Sequence, residues 1–335
     1  MINFFPFKYR WYFIIYFPSQ LWVNNFEFFD YWVSYTLLEC ITDCLDFWEF
    51  RHNLLDNYMK LSYYLILNYS KIMEILINGL IQLSWLEYVI YTLVVTHITI
   101  VAITLYLHRG VCHSAIEIRP LLAHFFRFWL WLTTSMRTAD WVAIHRKHHA
   151  KVETADDPHS PAHHGITNVL LKGADLYHKE KGNSETIEKY SQNCPNDWVE
   201  KHVYTGRNNL GILLLFITNI ILFGVVGIII WSIQMMWTPI FAAGGINGAG
   251  HYWGYRNFNT SDDSTNLGPV GIIIGGEELH NNHHAFPTAA KFSLKPWEFD
   301  IGWLYIRIFS LLGQIKVKRL AVKTIVSTQS DCLNS

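Results

Sequence analysis

His280-Asn281-Asn282-His283-His284 decides how this 335-residue chain is read, together with its echo His145-Arg146-Lys147-His148-His149. On a helix, positions i, i+3 and i+4 share a face, so each run turns three imidazoles the same way. A third cluster, His108-Arg109-Gly110-Val111-Cys112-His113, stands upstream, and His251 follows Asn247 by one helical turn at the end of a long apolar run. Nine of the seventeen histidines fall into this pattern, and imidazole is the commonest metal ligand. They are too many for one zinc ion, which closes at four ligands. They suit two metal ions that keep open positions for chemistry. By donor softness alone, zinc, copper, iron and nickel all qualify.

The composition says where such a site would be housed. The chain is 51% hydrophobic and 16% charged, whereas soluble domains carry roughly 25% charged residues. Its mean hydropathy is +0.14. An all-α integral membrane protein is expected. A net charge of −1 gives no reason to expect nucleic acid binding. Five cysteines without zinc or redox spacing argue against a disulfide framework and for a reducing compartment.

No glycine or alanine precedes Gly79, while 23 of the first 70 residues are aromatic. The basic stretch and small-residue cleavage site of a secretory signal are missing. Residues 1–72 therefore read as an extension without chemistry, either membrane-proximal or translated ahead of a start at Met73, the latter favoured. Residues 73–319 form the working domain and 320–335 a tail.

Within that domain, residues 85–107 are apolar and long enough to cross a hydrocarbon core of roughly 30 Å. Residues 210–230 and 231–250 form two further spans, a hairpin. Residues 121–138 are apolar too, but carry His124, Arg127 and Arg137. Were they to span, His113 and His145 would lie on opposite sides of the membrane. They are therefore expected to form an interfacial helix, with Trp129 and Trp131 at the headgroups. A short helix over about residues 73–82 comes before, or a fourth span over 61–81. Residues 139–209 carry nine Lys and Arg, and none lies between Gly211 and Gly254. The polar segment is thus cytoplasmic by the positive-inside rule. The hairpin returns Asn247 and His251 to that same face.

The remaining polar residues are assigned around the clusters. Glu277, Glu278, Asp156 and Asp157 flank the two HxxHH runs and could accept the far N–H of a ligand histidine. Asn247 could touch a metal directly or through water. His108 and His113 would stand about 140° apart on a continuous helix, so a break is expected at Gly110. His97 would hydrogen-bond a neighbouring helix, and His159 would support the second cluster. His124, His163, His164, His178 and His202 read as surface or interfacial.

In these residues the chain resembles the membrane fatty acid desaturases, in particular the stearoyl-CoA desaturase-like group and its bacterial members. That family is marked by HxxxxH, HxxHH and HxxHH boxes, here opening at His108, His145 and His280. Asn247-x-x-x-His251, Ala-Asp156-Asp157-Pro-His159, Gly254-Tyr255-Arg256 and Phe286-Pro287 match as well. The resemblance implies a transmembrane helical bundle capped by a cytoplasmic helical domain. There a di-iron site is held by His108, His113, His145, His148, His149, His251, His280, His283 and His284, with Asn247 reaching one iron through water. It implies O2-dependent insertion of a cis double bond, at Δ9, into a saturated acyl chain carried by CoA or a phospholipid. A bacterial inner membrane is the expected setting. One departure is the number of spans, since the family usually builds four.

No dinucleotide loop, iron–sulfur pattern or haem motif is visible in the sequence. Electrons are expected from a separate ferredoxin-like donor with an NAD(P)H reductase. Arg146, Lys147 and Lys151 are candidates to dock that donor or an acyl carrier's phosphates. Two rival readings are a membrane hydroxylase using the same iron, which would release an alcohol, and a non-catalytic metal-binding or transport protein, against which the scarcity of polar groups within the spans argues.

Overall fold

The computed structural model describes residues 46–321. Most of the 1–72 extension and of the tail lies outside the described residues. The chain divides at Ser70 into two units, and everything that concerns the site belongs to the second. Helix α1 (Asp46–Asn78) is one 33-residue helix rather than a short one near 73–82. It ends at Gly79, whose φ of +73° favours glycine.

Helix α2 (Trp85–Cys112) opens with a capping box. Ser84 accepts the Glu87 N–H, and the Glu87 carboxylate accepts the Ser84 N–H at 2.7 Å. Its 28 residues are apolar enough to cross a membrane. Over Ile103–Cys112 the helix widens to π winding, with the His113 N–H donating to the His108 carbonyl five residues back at 3.0 Å. The expected break at Gly110 is thus a continuous wide turn. In it, residues five apart stand nearly one above the other, which brings His108 and His113 to one side.

After β1 (Ile116–Ile118) come α3 (Pro120–Thr134), α4 (Thr138–Lys151), α5 (Ile166–Lys181) and α6 (Ser184–Tyr190). Helix α3 packs on α2, and its two tryptophans face protein rather than headgroups. The Trp129 indole N–H donates to Thr99 Oγ1 and that of Trp131 to the Arg207 carbonyl, each at 3.0 Å.

The second apolar run is α7 (Asn208–Ala249), again π-wound over Thr238–Ala249. It folds back on itself at Gly224, where φ +58° and ψ −137° suit only glycine. Contacts between the arms follow: the Trp231 indole donates to the Ile212 carbonyl at 3.3 Å. The reversal comes about seven residues before the 230/231 boundary expected from composition. Leu80 and Ile81 donate their N–H groups to Ile221 and Leu222 at this turn. Outward, the arms expose Leu213, Ile217, Ile221, Val225, Ile229, Ile233 and Met236, an apolar belt suited to lipid.

The rest of the chain caps the polar end of these helices. Strand β2 (Val270–Gly271) pairs in parallel with β3 (Phe299–Asp300), and β1 pairs antiparallel with β4 (Ile315–Val317). Between them lie α8 (His280–Ala285) and α9 (Ile301–Leu311). One buried pair ties cap to bundle. Arg109, beside His108, meets both oxygens of Asp300 at 2.9 and 3.1 Å and donates to the carbonyls of Ala290 and Gly275. Its guanidinium lies over the Phe292 ring. The core gathers Ile100, Leu105, Leu107, Phe126, Leu130 and Ile306 from α2, α3 and α9. His97 bridges two of these helices, its Nε2 lying 2.9 Å from the Tyr305 hydroxyl.

Candidate metal centre

Four elements deliver the nine histidines. The π-wound end of α2 presents His108 and His113, α4 presents His145, His148 and His149, the stretch after α7 presents His251, and α8 presents His280, His283 and His284. They gather in two nests: His108, His113, His145, His149 and His283 in one, and His148, His251, His280 and His284 in the other. Within each nest the donor atoms lie within 4.8 Å of one another. Each HxxHH run is therefore divided. Its first and last histidines serve one nest and its middle histidine the other, in opposite senses for α4 and α8. The nests abut, with the His149 and His284 rings stacked at 4.6 Å.

Carboxylates fix the tautomers. His108 Nδ1–H donates to Glu277 at 2.7 Å, His148 to Asp157 at 3.0 Å, His251 to Glu153 at 2.9 Å and His284 to Asp262 at 2.9 Å. Each leaves a bare lone pair on Nε2 inside a nest. Those of His148 and His284 are buried with no hydrogen-bond partner among the described residues. Nε2 of His251 lies 2.9 Å from that of His280, and Nε2 of His108 lies 3.1 Å from that of His283. Nδ1 of His280 and of His283 has no partner among the described residues, so either tautomer is open to these two rings, and a cation between the facing nitrogens would take the Nε2 lone pair of each. Ligand atoms about 2.0–2.1 Å from one ion, the range for zinc–imidazole bonds, stand about 3 Å apart when at right angles. Burial, with the neighbouring imidazoles, holds His145, His148, His149, His280, His283 and His284 well below the usual histidine range. These rings are neutral, the ligand form. The residues fit a metal.

Of the four carboxylates expected to support the boxes, Asp157 and Glu277 do so. Asp156 is exposed and faces Lys151 at 3.7 Å. Glu278 accepts the N–H groups of Ile274 and Gly276 and so shapes the turn before α8. Glu153 and Asp262 take the other two places. Burial opposes charge on Glu153, but hydrogen bonds from His251 and Ser160 hold its carboxyl below the ordinary value. Its backbone lies in the left-handed region at φ +59°, which turns the side chain toward His251. Asp157 also accepts the N–H groups of Glu153 and His159 and organises that loop. His159 stacks on His148 at 4.3 Å. Asn281 and Asn282, the spacer of the last box, are buried: Asn281 accepts two backbone N–H groups from Asn257 and Phe258, and Asn282 donates to Glu298. Nothing in the spacing foretold that.

A cavity of about 340 Å³ opens beside the nests. His108, His145, His159, Asn247, Glu277 and His280 line its histidine end, so Asn247 stands at the site half-buried. Trp141, Ile144, Ile212, Met235, Ala242 and Ile246 make the walls apolar, and Tyr177, His178, Lys181 and Asn209 line it as well. His178, read from sequence as surface or interfacial, is exposed and also borders the cavity. Two of the three docking candidates are otherwise engaged. Arg146 donates to the carbonyls of Val111, Cys112, Tyr190 and Gln192, and Lys147 to Glu180.

Comparison with known proteins bears on this arrangement. The fatty acid desaturase family profile matches residues 83–298, a stretch that holds every histidine of both nests. An sn-1 stearoyl-lipid 9-desaturase of Anabaena variabilis is 30% identical over 227 residues, 66% of this chain and 79% of the relative. Delta-9 acyl-lipid desaturase 1 of Arabidopsis thaliana is 30% identical, covering 63% of this chain and 68% of its own length. An icosanoyl-CoA 5-desaturase of Limnanthes douglasii is 32% identical, covering 64% and 60%.

Proposed function

Since the chain belongs to the fatty acid desaturase family, we propose that its two nests hold two iron ions and that it inserts a cis double bond, at Δ9, into a saturated acyl chain lying in the adjoining cavity. The observation that carries this reading is the pair of abutting nests of neutral imidazoles opening onto an apolar cavity. One iron would be held by His108, His113, His145, His149 and His283. The other would be held by His148, His251, His280 and His284, with Asn247 beside it. Bound iron with O2 and two electrons supplies an oxidant able to take hydrogen from an unactivated methylene, which offers no acid–base handle.

The protein's own part is to hold and to exclude. Glu277, Asp157, Glu153 and Asp262 keep four imidazoles in the tautomer that offers Nε2. Trp141, stacked on His145 at 4.8 Å, and Ile144 and Ile246 keep water from the reacting carbons. The apolar walls accept methylenes without a polar group to bind in register. Position 9 is supported by the names of most relatives, although the Limnanthes protein is named for position 5. The histidine end faces the cytoplasm of a bacterial inner membrane in this reading. Electrons come from a separate ferredoxin-like protein.

Expression in a bacterium whose own unsaturated fatty acid synthesis is switched off tests the proposal. Methyl esters are profiled by gas chromatography and mass spectrometry beside His284→Ala. A new monounsaturated acid, absent from the variant, is expected. A hydroxy acid instead would make the protein a hydroxylase. No new lipid from iron-loaded protein supplied with reductant and O2 would sink the assignment.

A further inference from the structure

The cavity has two ends of different character. At one are the nests. Toward the other, Lys181, one turn beyond Tyr177 on α5, reaches Asp140 in the first turn of α4 at 3.5 Å. Tyr177 therefore stands near the start of α4, while His145, His148 and His149 follow Asp140 by five to nine residues. At 1.5 Å per residue, that is about 8–13 Å along the helix. At the ~1.2 Å per bond of a fully extended chain, the eight bonds from a carbonyl carbon to C9 cover about 10 Å. Counted from Asp140, the rise is of the same order as that length.

Polar groups at this end are mostly committed. Lys181 and Arg137 both pair with Asp140, and the Thr133 and Thr134 hydroxyls donate to the carbonyls of Trp129 and Leu130. The Tyr177 hydroxyl is different. It is buried, and it has no hydrogen-bond partner among the described residues. A buried hydroxyl left unpaired is costly, and a ligand's acceptor would relieve it. Burial, then the charge of Asp140, pushes the phenol well above its ordinary range, so the group keeps its proton and is a donor. The other lining nitrogens that are fully buried without a partner among the described residues, on His159 and His280, belong to the nest end. His178 and Asn209 are exposed, which leaves this end open for the carrier of the acyl group.

We infer that Tyr177 donates a hydrogen bond to the C1 carbonyl of the acyl substrate and thereby sets how many methylenes lie between the carbonyl and the metal nests. Tyr177 is a positioning residue for the reaction, and the inference rests on the desaturase reading above. It makes the double bond a distance counted from the carboxyl end.

Two measurements test it. In the first, wild-type protein is given saturated acyl chains lengthened one carbon at a time, and double bonds are located by mass spectrometry of their dimethyl disulfide adducts. A position constant from the carboxyl end is expected. A position constant from the methyl end would mean that the cavity floor sets the register, and would overturn the inference without any variant being made. In the second, Tyr177→Phe removes only the hydroxyl. With iron content unchanged, products should spread over neighbouring positions and KM should rise about threefold to tenfold, the scale of one hydrogen bond. A single wild-type position with unchanged KM would remove Tyr177 from the role and leave the desaturase reading intact. No unsaturated product from wild-type protein would instead defeat that reading and this inference together.

Discussion

Asp262 accepts the Nδ1–H of His284 through one oxygen and the Ser264 N–H and Thr260 hydroxyl through the other. Asp262→Asn keeps the size but can present an N–H to the imidazole, which would put the ring proton on Nε2, inside the nest. Iron affinity should fall about 10–100-fold, read by competition with a chelator of known affinity; unchanged affinity would show that the carboxylate does not hold the ring. At this scale the histidines were legible and their supports only half so. Nine imidazoles announce themselves by spacing, because a helix converts i, i+3 and i+4 into a shared face. Asp157 and Glu277 were found because they lie close to the boxes. Glu153 and Asp262 were not, since one arrives through a left-handed residue and the other lies 22 positions from its histidine. Neighbours in sequence can also turn away, as Asp156 and Glu278 do. The division of each box between two nests was hidden as well, because it depends on where α4 and α8 cross.

Two elements carry the geometry, and each has a residue on which it turns. In α7 the reversal at Gly224 uses a backbone conformation closed to other residues, and a Cβ there would lie 2.2 Å from the Ile77 carbonyl oxygen. Gly224→Ala should cost at least the ~1–3 kcal/mol of such strain and lower the thermal midpoint in detergent; an unaltered midpoint would mean that the turn relaxes freely. Hydropathy saw this run as continuously apolar and gave no sign of where it folds. Its composition changes little across the turn, so only backbone conformation marks the place. The π winding that ends α2 was likewise unreadable, although its consequence, two histidines five apart on one side, was required by the site. Beneath it, Arg109 and Asp300 form a fully buried pair. Asp300→Asn leaves the guanidinium charge without its partner, a change of about 3–5 kcal/mol. Reduced stability with loss of iron is expected, since the pair joins β3 to the end of α2. Full iron content at wild-type stability would show that the cap is held by other contacts.

For the molecule as a whole, burying so many neutral imidazoles makes the fold sensitive to acid. An unfolded histidine titrates near about 6.5, and His148, His280 and His284 titrate lower because burial and their neighbours resist a charge. A lowered folded value means that the unfolded chain takes up protons first. The contribution to stability is complete above about pH 6.5 and shrinks as pH falls below it. The metal-free thermal midpoint should therefore drop between about pH 7.5 and about pH 5.5, and a flat profile would contradict neutral burial. Metal should make the protein more resistant, since it binds the same deprotonated nitrogens. Helical class, membrane character and the convergence of four separate segments were all legible from composition and spacing. The packing of α3 was not, because periodicity cannot say whether tryptophans face lipid or protein. The account stands most directly on what the two nests hold. Metal content per chain of protein purified from iron-supplied cells, measured by plasma mass spectrometry beside His108→Ala and His284→Ala, decides it. The account predicts two irons per chain, falling in each variant; a single metal ion per chain, or full occupancy retained after both substitutions, would contradict it.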